Sequence, residues 1–242
     1  MAMQRLDKIL ASQNLGSRKE VGAIIRSGRT NVNGVAVKRP EQKADPDSDV
    51  ITVDGEILEF KKFIYLMMNK PVGVLSASRD PRARTVVDLL PPRLRRRGIF
   101  PAGRLDKDTR GMLILTDDGA FAHRMLAPKS HVMKWYEAEL ESPVTEGDIL
   151  AFRRGVTLGN EMTCLPAELS VLREGEHPLA LVKVREGKFH QVKRMFLARE
   201  NLVLSLRRIQ IGGLSLDPKL PEGAVRELSP EEVSLALGEE HG

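Results

Sequence analysis

The chain of 242 residues contains a single cysteine, Cys164, and its aromatic residues amount to only 4 %. One thiol allows neither an intrachain disulfide nor a cysteine-based zinc site, so we interpret Cys164 as a small buried hydrophobic residue of a strand. No apolar run approaches the length that crosses a bilayer, and the polar, charged start lacks the apolar core of a signal peptide. We therefore expect a soluble protein of a reducing cytoplasm.

Glycine-rich loops of the two common phosphate-binding types are also missing, as are internal repeats. The chain instead shows patterns that predict strands over 63–68, 132–140, 163–172, 179–184 and 202–211. Helices are predicted over 120–126, 146–154 and 191–199. Because strands outnumber helices and are mostly joined by short turns, we predict the α+β class, with a mixed, largely antiparallel sheet and flanking helices. A doubly wound nucleotide-binding fold is not expected.

Positive charge exceeds negative charge and is concentrated near the start of the chain. Lysine and arginine number 38 against 33 acids, which gives a net charge of +5 and a pI near 9.4. The first 39 residues have only Asp7 and Glu20 as acids, whereas their cations include Arg5, Lys8, Arg18, Lys19 and Arg26. Such an imbalance favours a polyanionic partner.

The first 60 residues are predicted to form a small α/β module. Ser17 is typical of a helix N-cap, and Glu20 three residues later completes a capping box. Asn33-Gly34 between alternating apolar residues predicts a hairpin, and a second strand pair flanks Asp54-Gly55. We therefore divide the chain into a module over 1–60 and a larger domain over 61–242.

An acidic motif stands in the larger domain, in the segment GRLDKDTRGMLILTDDG over 103–119. Asp106 follows Arg104 by two positions and precedes an apolar strand. A neighbouring guanidinium favours the ionised carboxylate, and an ionised, positioned aspartate can act as a nucleophile, a base or a stabiliser of positive charge. Taken alone, the motif also fits a surface aspartate that caps a turn, and Asp108 fits a cap of the turn after it.

Three other segments accompany this motif: KWY over 134–136, EGKFHQVKRMF over 186–196 and LSLRRIQIGG over 204–213. The chain has only two tyrosines and one tryptophan, which makes Trp135 and Tyr136 conspicuous. We interpret His190 as a residue that orients the helix after it. The basic run over 93–97 fits either a solvated loop or a loop that grips phosphate on binding.

Together with GRLD, these segments resemble the pseudouridine synthases of the small-subunit ribosomal type, in order along essentially the whole chain. The stretch RLDKILASQNLGSRKEVGAIIRSGRTNVNGVAVK resembles the small RNA-binding module of the S-four ribosomal protein, which that family carries at its N-terminus. The resemblance implies an isomerase that breaks the carbon–nitrogen glycosidic bond of a uridine within RNA and rejoins the base through carbon. It implies no cofactor and no metal.

The resemblance also implies roles for particular residues. Asp106 falls on the family's essential aspartate, and Tyr136 falls on the tyrosine that stacks against the target base. Lys193 falls where the family has a basic residue paired with the aspartate, Leu206 near the apolar residue that closes the pocket, and Arg104 where a residue helps hold the altered RNA. The chemistry agrees, because an extruded base gains from an aromatic ring and glycosidic cleavage builds positive charge on the sugar.

We expect the substrate to be a uridine of small-subunit (16S) ribosomal RNA, either in the RNA itself or in an assembling subunit. A set of five cations is expected to contact RNA phosphates: Arg5, Lys8, Arg18, Lys19 and Arg26. No membrane is expected as a partner, and the chain is expected to act as a cytoplasmic monomer in ribosome biogenesis. Two alternatives stay open: a uridine of large-subunit (23S) ribosomal RNA as substrate, and a non-catalytic RNA-binding assembly factor.

Overall fold

The computed structural model describes residues 3–95, 98–159 and 162–239, so part of the basic run over 93–97 lies outside the described residues. The chain divides into two compact units, residues 1–64 with 91–99 and residues 65–90 with 100–242. The division therefore falls at 64/65 instead of 60/61, and the segment 91–99 belongs to the first unit. The side-chain amide of Asn14 donates to the carbonyl of Pro92 at 2.6 Å, which ties that segment to the first unit.

The first unit contains two helices and two small sheets. In chain order its elements are β1 (Gln4–Arg5), α1 (Leu6–Ser12), α2 (Arg18–Arg26), β2 (Thr30–Val32), β3 (Val35–Val37), β4 (Lys43–Ala44), β5 (Ile51–Val53) and β6 (Glu56–Ile57). A 3-10 turn, Pro92–Leu94, lies in the returning segment. The strands β3, β2, β5 and β6 pair in that order, and β1 pairs with β4.

Local sequence signals explain the first unit well. Ser17 and Glu20 form the predicted capping box at the start of α2, since each side chain accepts from the other's backbone N–H. Asn33 and Gly34 both have positive φ and join β2 to β3, which confirms the predicted hairpin. The apolar faces of α1 and α2 pack on the sheet in one core, whose members include Leu6, Ile9, Leu10, Val21 and Ile25.

The second unit is built on one sheet. In chain order its elements are β7 (Tyr65–Lys70), β8 (Phe100–Ala102), β9 (Arg110–Thr116), α3 (Gly119–Leu126), β10 (Lys134–Leu140), α4 (Glu146–Arg154), β11 (Glu168–Arg173), β12 (Leu179–Val184), α5 (Gln191–Leu197), β13 (Val203–Ile211), β14 (Leu214–Ser215), β15 (Val225–Glu227) and α6 (Pro230–Ala236). Two further 3-10 turns are Val87–Leu89 and Pro128–Ser130. No helix in the described part of the chain is both long and apolar enough to cross a bilayer.

The sheet runs in the order β11-β12-β10-β13-β9-β7-β15, with β14 beside β13 and β8 beside β9. Every pair is antiparallel except β9 with β13, which is parallel. The predicted α+β class with a mixed, largely antiparallel sheet is therefore confirmed. The two C-terminal elements, β15 and α6, were not predicted.

Two apolar cores cover the sheet of the second unit. One includes Phe152 of α4 and Phe196 of α5 packed over β10 to β13, and the other includes Phe121 of α3 with Met67 and Ile114 of β7 and β9. Cys164 is buried in the first of these cores, as expected, but it precedes β11 and does not lie in it.

Candidate active site

Two cavities open on Asp106. The first, which we call the Tyr136 cavity, has a volume of about 550 Å³ and is lined by Asp106, Arg104, Tyr136 and Leu206 among others. The second, the Phe189 cavity, has a volume of about 830 Å³ and is lined by Phe189, Ser76 and Lys107 among others. The two cavities share Arg104, Leu105, Asp106 and His190. Four of the five predicted site residues of the larger domain therefore meet in one cavity.

The strand alternation of β10 and β13 aims side chains into the Tyr136 cavity. Lys134 and Tyr136 are two apart on β10 and both line it, and so do Leu206 and Arg208 on β13. Trp135 projects on the other side of β10, where the ammonium of Lys183 lies 4.3 Å from its ring centre. The cavity also takes side chains from both apolar cores, so it lies where the two cores meet.

The loop that carries Asp106 joins β8 to β9, and a buried lysine binds its main chain. The Lys70 side chain is wholly buried at the end of β7, and its ammonium donates to the main-chain carbonyls of Pro71, Asp106 and Thr109 at 3.0, 3.1 and 2.9 Å. Burial lowers the pKa of Lys70 to about 8, while the carboxylates of Asp108 and Asp106 act in the opposite direction. Lys70 is not among the site residues predicted from the sequence.

Other hydrogen bonds fix the same loop from the segment after β7. The hydroxyl of Ser76 donates to the carbonyl of Leu105 at 2.8 Å and accepts from the N–H of Leu105 at 3.0 Å. The N–H of Gly73 donates to the carbonyl of Lys107 at 2.7 Å. The residues on both sides of Asp106 are therefore fixed, and the carboxylate has a defined position before any ligand arrives.

The side chain that lies beside the Asp106 carboxylate differs from the one expected. Nε2 of His190 lies 3.4 Å from Oδ1 of Asp106, whereas Nζ of Lys193 is 2.5 Å from Oδ1 of Asp108. This bond, with the burial of the pair acting against it, lowers the pKa of Asp108. The expected pairing of Lys193 with Asp106 is thus not formed here, because Asp108 lies two residues on and takes the ammonium instead.

His190 is the residue directly before α5, and its side chain makes no capping hydrogen bond to that helix. Its backbone is left-handed, with φ of 49°, a conformation that a non-glycine residue adopts at a cost. That turn directs the imidazole toward Asp106. The aromatic ring of Phe189 stacks on the imidazole, with ring centres 3.8 Å apart and planes 18° from parallel.

The Tyr136 cavity is lined by cations whose charge is not fully matched by acids. Burial, with the nearby charge of Arg208, lowers the pKa of Lys134 to about 8. The buried guanidinium of Arg208 donates to the carbonyl of Met112 at 2.8 Å and lies 6.0 Å from the ring centre of Tyr136. Glu186, an acid of this cavity, already pairs with Lys188 at 3.3 Å. Positive groups thus surround the space beside Tyr136.

This arrangement suits chemistry on a flat, uncharged ring attached to a sugar. An aromatic face on one side offers stacking, a fixed carboxylate on another can stabilise or trap an electron-poor carbon, and buried cations can take up negative charge on a departing ring. Arg104 is exposed, and no residue in the described part of the chain bonds or pairs with its guanidinium. It is therefore available to a ligand that fills either cavity.

Comparison with known protein families matches these features. Residues 64–198 match the family of RNA pseudouridylate synthases, and residues 4–51 match the S4 domain. The chain therefore belongs to the RNA pseudouridine synthases and is an enzyme of that family with an N-terminal S4 domain. Its RNA-binding module and the implied partner class, RNA, agree with the expectation from sequence.

Individual relatives match nearly the whole chain. The chain is 47 % identical over 232 residues to an uncharacterized RNA pseudouridine synthase, YtzG, of Bacillus subtilis, with 96 % of this chain and 97 % of that protein covered. It is 38 % identical over 234 residues to ribosomal small subunit pseudouridine synthase A of Escherichia coli, covering 96 % and 100 %. A crystal structure of a pseudouridylate synthase superposes with a TM-score of 0.68 at 34 % identity, covering 96 % and 99 %.

Proposed function

We propose that this enzyme isomerises a uridine of small-subunit ribosomal RNA to pseudouridine, with Asp106 as its essential carboxylate. The observation that supports the site is the meeting of Asp106, Arg104, Tyr136 and Leu206 in one cavity. The observation that supports the substrate is the full-length similarity to a small-subunit pseudouridine synthase. The S4 domain supports binding to a structured RNA.

In this proposal the target uridine leaves the RNA stack and enters the Tyr136 cavity. The extruded base loses its stacking partners, and the ring of Tyr136 replaces them, since base–aromatic stacking is worth about 1–3 kcal/mol. Leu206 is buried and closes the cavity on its apolar side. The exposed guanidinium of Arg104 holds the RNA in its opened form by contact with the backbone.

The chemical step breaks the bond between N1 of uracil and C1′ of ribose. Positive charge develops on the sugar, and Asp106 meets it by electrostatic stabilisation, by a covalent bond, or by removal of a sugar proton. Negative charge develops on the uracil, and Lys134 and Arg208 offset it. The base then turns, C5 bonds to C1′, C5 loses its proton and N1 gains one, so the atoms of substrate and product are the same.

The first unit supplies general affinity for RNA in this proposal. Lys8 of α1 and Arg18, Lys19 and Arg26 of α2 are exposed, while the apolar faces of these helices are buried. Arg5 is exposed as well, but it ends β1 and its guanidinium pairs with the carboxylate of Asp7 at 2.8 Å. Exposed cations of this kind neutralise phosphates and orient the partner without reading its bases. The substrate in this account is free ribosomal RNA or an assembling subunit.

We place the enzyme in the cytoplasm, where a ribosomal substrate is available, and we propose that it acts as a monomer. Size-exclusion chromatography with light scattering measures the mass in solution. A mass near 26.9 kDa supports the monomer.

Asp106→Asn tests the proposal directly. The amide keeps the shape of the side chain but cannot carry the negative charge, so we expect unchanged folding and RNA binding with turnover below detection. Turnover is measured as tritium released from a small-subunit ribosomal RNA transcript that carries uridine tritiated at C5. Asp108→Asn, two residues on and outside the Tyr136 cavity, is the comparison variant and should retain measurable turnover.

Turnover measured in parallel on small-subunit and large-subunit ribosomal RNA transcripts decides between the two proposed substrates. Wild-type turnover on a large-subunit transcript with none on the small-subunit transcript would overturn the assignment of the substrate but leave the role of Asp106 intact. If Asp106→Asn instead releases tritium at the wild-type rate, the proposed role of the carboxylate is wrong. Full rescue of a deletion strain's growth by Asp106→Asn would favour the non-catalytic assembly factor.

A further inference from the structure

The Phe189 cavity has no assigned role in the chemistry of the uridine. It adjoins the Tyr136 cavity at Arg104, Leu105, Asp106 and His190, and it is the larger of the two. Its other lining comes from the segment after β7, including Ser76 and Asp80, and from Phe189. Because the two cavities are contiguous at Asp106, a polymeric ligand that places one unit against Asp106 can place a neighbouring unit in this second cavity.

Phe189 is unusual among the aromatic residues of the described chain. Its side chain is 72 % exposed, whereas Phe121, Phe152 and Phe196 are buried in the apolar cores. One face of its ring is stacked on the imidazole of His190, which in turn contacts Asp106. The ring is therefore held in a fixed orientation beside the reactive carboxylate, with apolar surface left open toward the cavity.

We propose that the Phe189 cavity is a second nucleotide subsite, in which a base adjacent to the target uridine stacks on the open face of Phe189. This inference rests on the proposed placement of the uridine in the Tyr136 cavity. The stack of base, Phe189 and His190 replaces the stacking that the neighbouring base loses when the uridine is extruded. Since every base has a π-face, the subsite accepts any base and contributes binding without sequence preference.

The charges of the cavity favour a base over a phosphate as its occupant. Asp80, Asp106 and Asp108 line it together with Arg104 and Lys107. Although Lys193 pairs with Asp108, the cavity has no excess of positive charge that would draw a phosphate in, and the carboxylates of Asp80 and Asp106 repel one. The cations Arg104 and Lys107 are exposed, where they can meet the phosphates of a strand whose bases point inward. An uncharged aromatic ligand with a charged backbone fits this distribution, and that description is a nucleotide of the RNA substrate.

The test is the steady-state kinetics of Phe189→Ala on the small-subunit ribosomal RNA transcript that carries C5-tritiated uridine. We expect KM to rise about tenfold, with kcat within about twofold of wild type, because stacking lost at a neighbouring base weakens binding but leaves Asp106 in place. Phe189→Tyr keeps the ring and should restore the wild-type KM. Leu202→Ala, at an exposed apolar residue outside both cavities, is the matched control and should leave both constants unchanged.

Phe189→Trp gives a direct optical readout in the same protein. An indole that stacks on a base loses emission, so the variant should be quenched by the transcript more strongly than wild type, whose single tryptophan is Trp135. A KM for Phe189→Ala equal to wild type, or a loss confined to kcat, overturns the subsite. The wild type is assayed first, because absence of turnover on this transcript refutes the proposed substrate and not the subsite. In that case the same variants are compared on the large-subunit transcript, where we expect the same rise in KM for Phe189→Ala.

Discussion

At the scale of single residues, the site depends on a lysine that never touches the cavity. Lys70 directs its ammonium to three main-chain carbonyls, one of them that of Asp106. Loops are the most mobile parts of a fold, and a carboxylate misplaced by an ångström loses much of its effect on a reacting carbon. A buried ammonium bonds the loop at two points, Asp106 and Thr109, and ties both to Pro71 after β7, which is why Asp106 can lie on a loop and still be fixed.

Lys134 offers a prediction about pH, because its pKa is lowered from 10.5 to about 8 by burial and by Arg208. The folded protein releases this proton at lower pH than the unfolded chain, so the charged form costs stability below pH 8. That cost disappears as the pH rises from 8 to 10.5. Lys134→Met should therefore be about 1–3 kcal/mol more stable than wild type at pH 7, and the difference should shrink toward pH 10.5.

Urea unfolding of both proteins at several pH values from 7 to 10.5 measures this difference. Lys129→Met, at an exposed lysine near in sequence, is the control and should not reproduce the trend. A Lys134→Met variant that is no more stable than wild type at pH 7 would show that a partner stabilises the ammonium in the folded state.

Sequence predicted part of the site and missed the rest for physical reasons. Strand alternation and a short loop suffice to bring Tyr136 and Leu206 to Asp106, and both arrive as expected. Lys193 could pair with the carboxylate of Asp106 or with that of Asp108, and the spacing of these residues in the sequence does not decide between them. Lys70 ends an apolar strand before a proline, but the carbonyls that hold it come from a loop more than thirty residues later.

At the scale of elements, the parallel pairing of β9 with β13 requires a residue without a side chain. Gly111 has φ of +102°, and a Cβ at this position would lie 2.3 Å from the carbonyl oxygen of Arg208 and 2.8 Å from its nitrogen. Both contacts are to backbone, which has no room to move within a sheet. The pairing places Arg208 beside β9, where its guanidinium reaches the carbonyl of Met112.

Gly111→Ala should therefore destabilise the protein by about 3 kcal/mol or more, since strain in φ adds to the backbone clash. Gly119→Ala is the matched control, because Gly119 begins α3 and a Cβ there meets nothing within 4 Å. The control should change stability by less than about 1 kcal/mol. Thermal unfolding of the three proteins gives the comparison, and equal midpoints for Gly111→Ala and wild type would contradict the structure.

The elements that sequence predicted are those whose signals are local. α2 has its capping box, α4 has the predicted bounds of 146–154, and the β2–β3 hairpin has its Asn-Gly turn. β15 is three residues long and exists because it pairs with β7, far away in the chain. α6 carried a usable local signal, since Ser229 and Glu232 form a capping box around Pro230 at the first helical position.

At the scale of the whole molecule, the uneven charge of the chain suits its two units to different steps, RNA binding for the first and catalysis for the second. The second unit contains the complete set of cavity residues, and the first unit contains the basic helices. Binding through phosphates depends on salt, whereas chemistry inside a cavity depends on it far less. Charge removal from the helices should therefore separate affinity from turnover.

A triple variant, Lys8→Gln with Arg18→Gln and Lys19→Gln, tests that separation. These side chains are exposed and make no ion pair within the described residues, so their removal should leave the fold intact. We expect the slope of log K against log salt for binding the ribosomal RNA transcript to fall in magnitude by about 2 to 3, which corresponds to three lost phosphate contacts. The kcat at saturating RNA should stay near the wild-type value.

A second triple variant with the same loss of charge shows whether the change in salt dependence is specific to α1 and α2. Lys38→Gln, Arg39→Gln and Lys43→Gln remove three exposed cations from the same unit but outside α1 and α2. If RNA docks on the helices, this variant keeps most of the wild-type salt slope, because the loss of net charge alone acts weakly beyond a screening length of about 8 Å at physiological salt. Equal losses in the two triple variants would mean that the whole first unit attracts RNA by its net charge, and that the helices are no special surface for it.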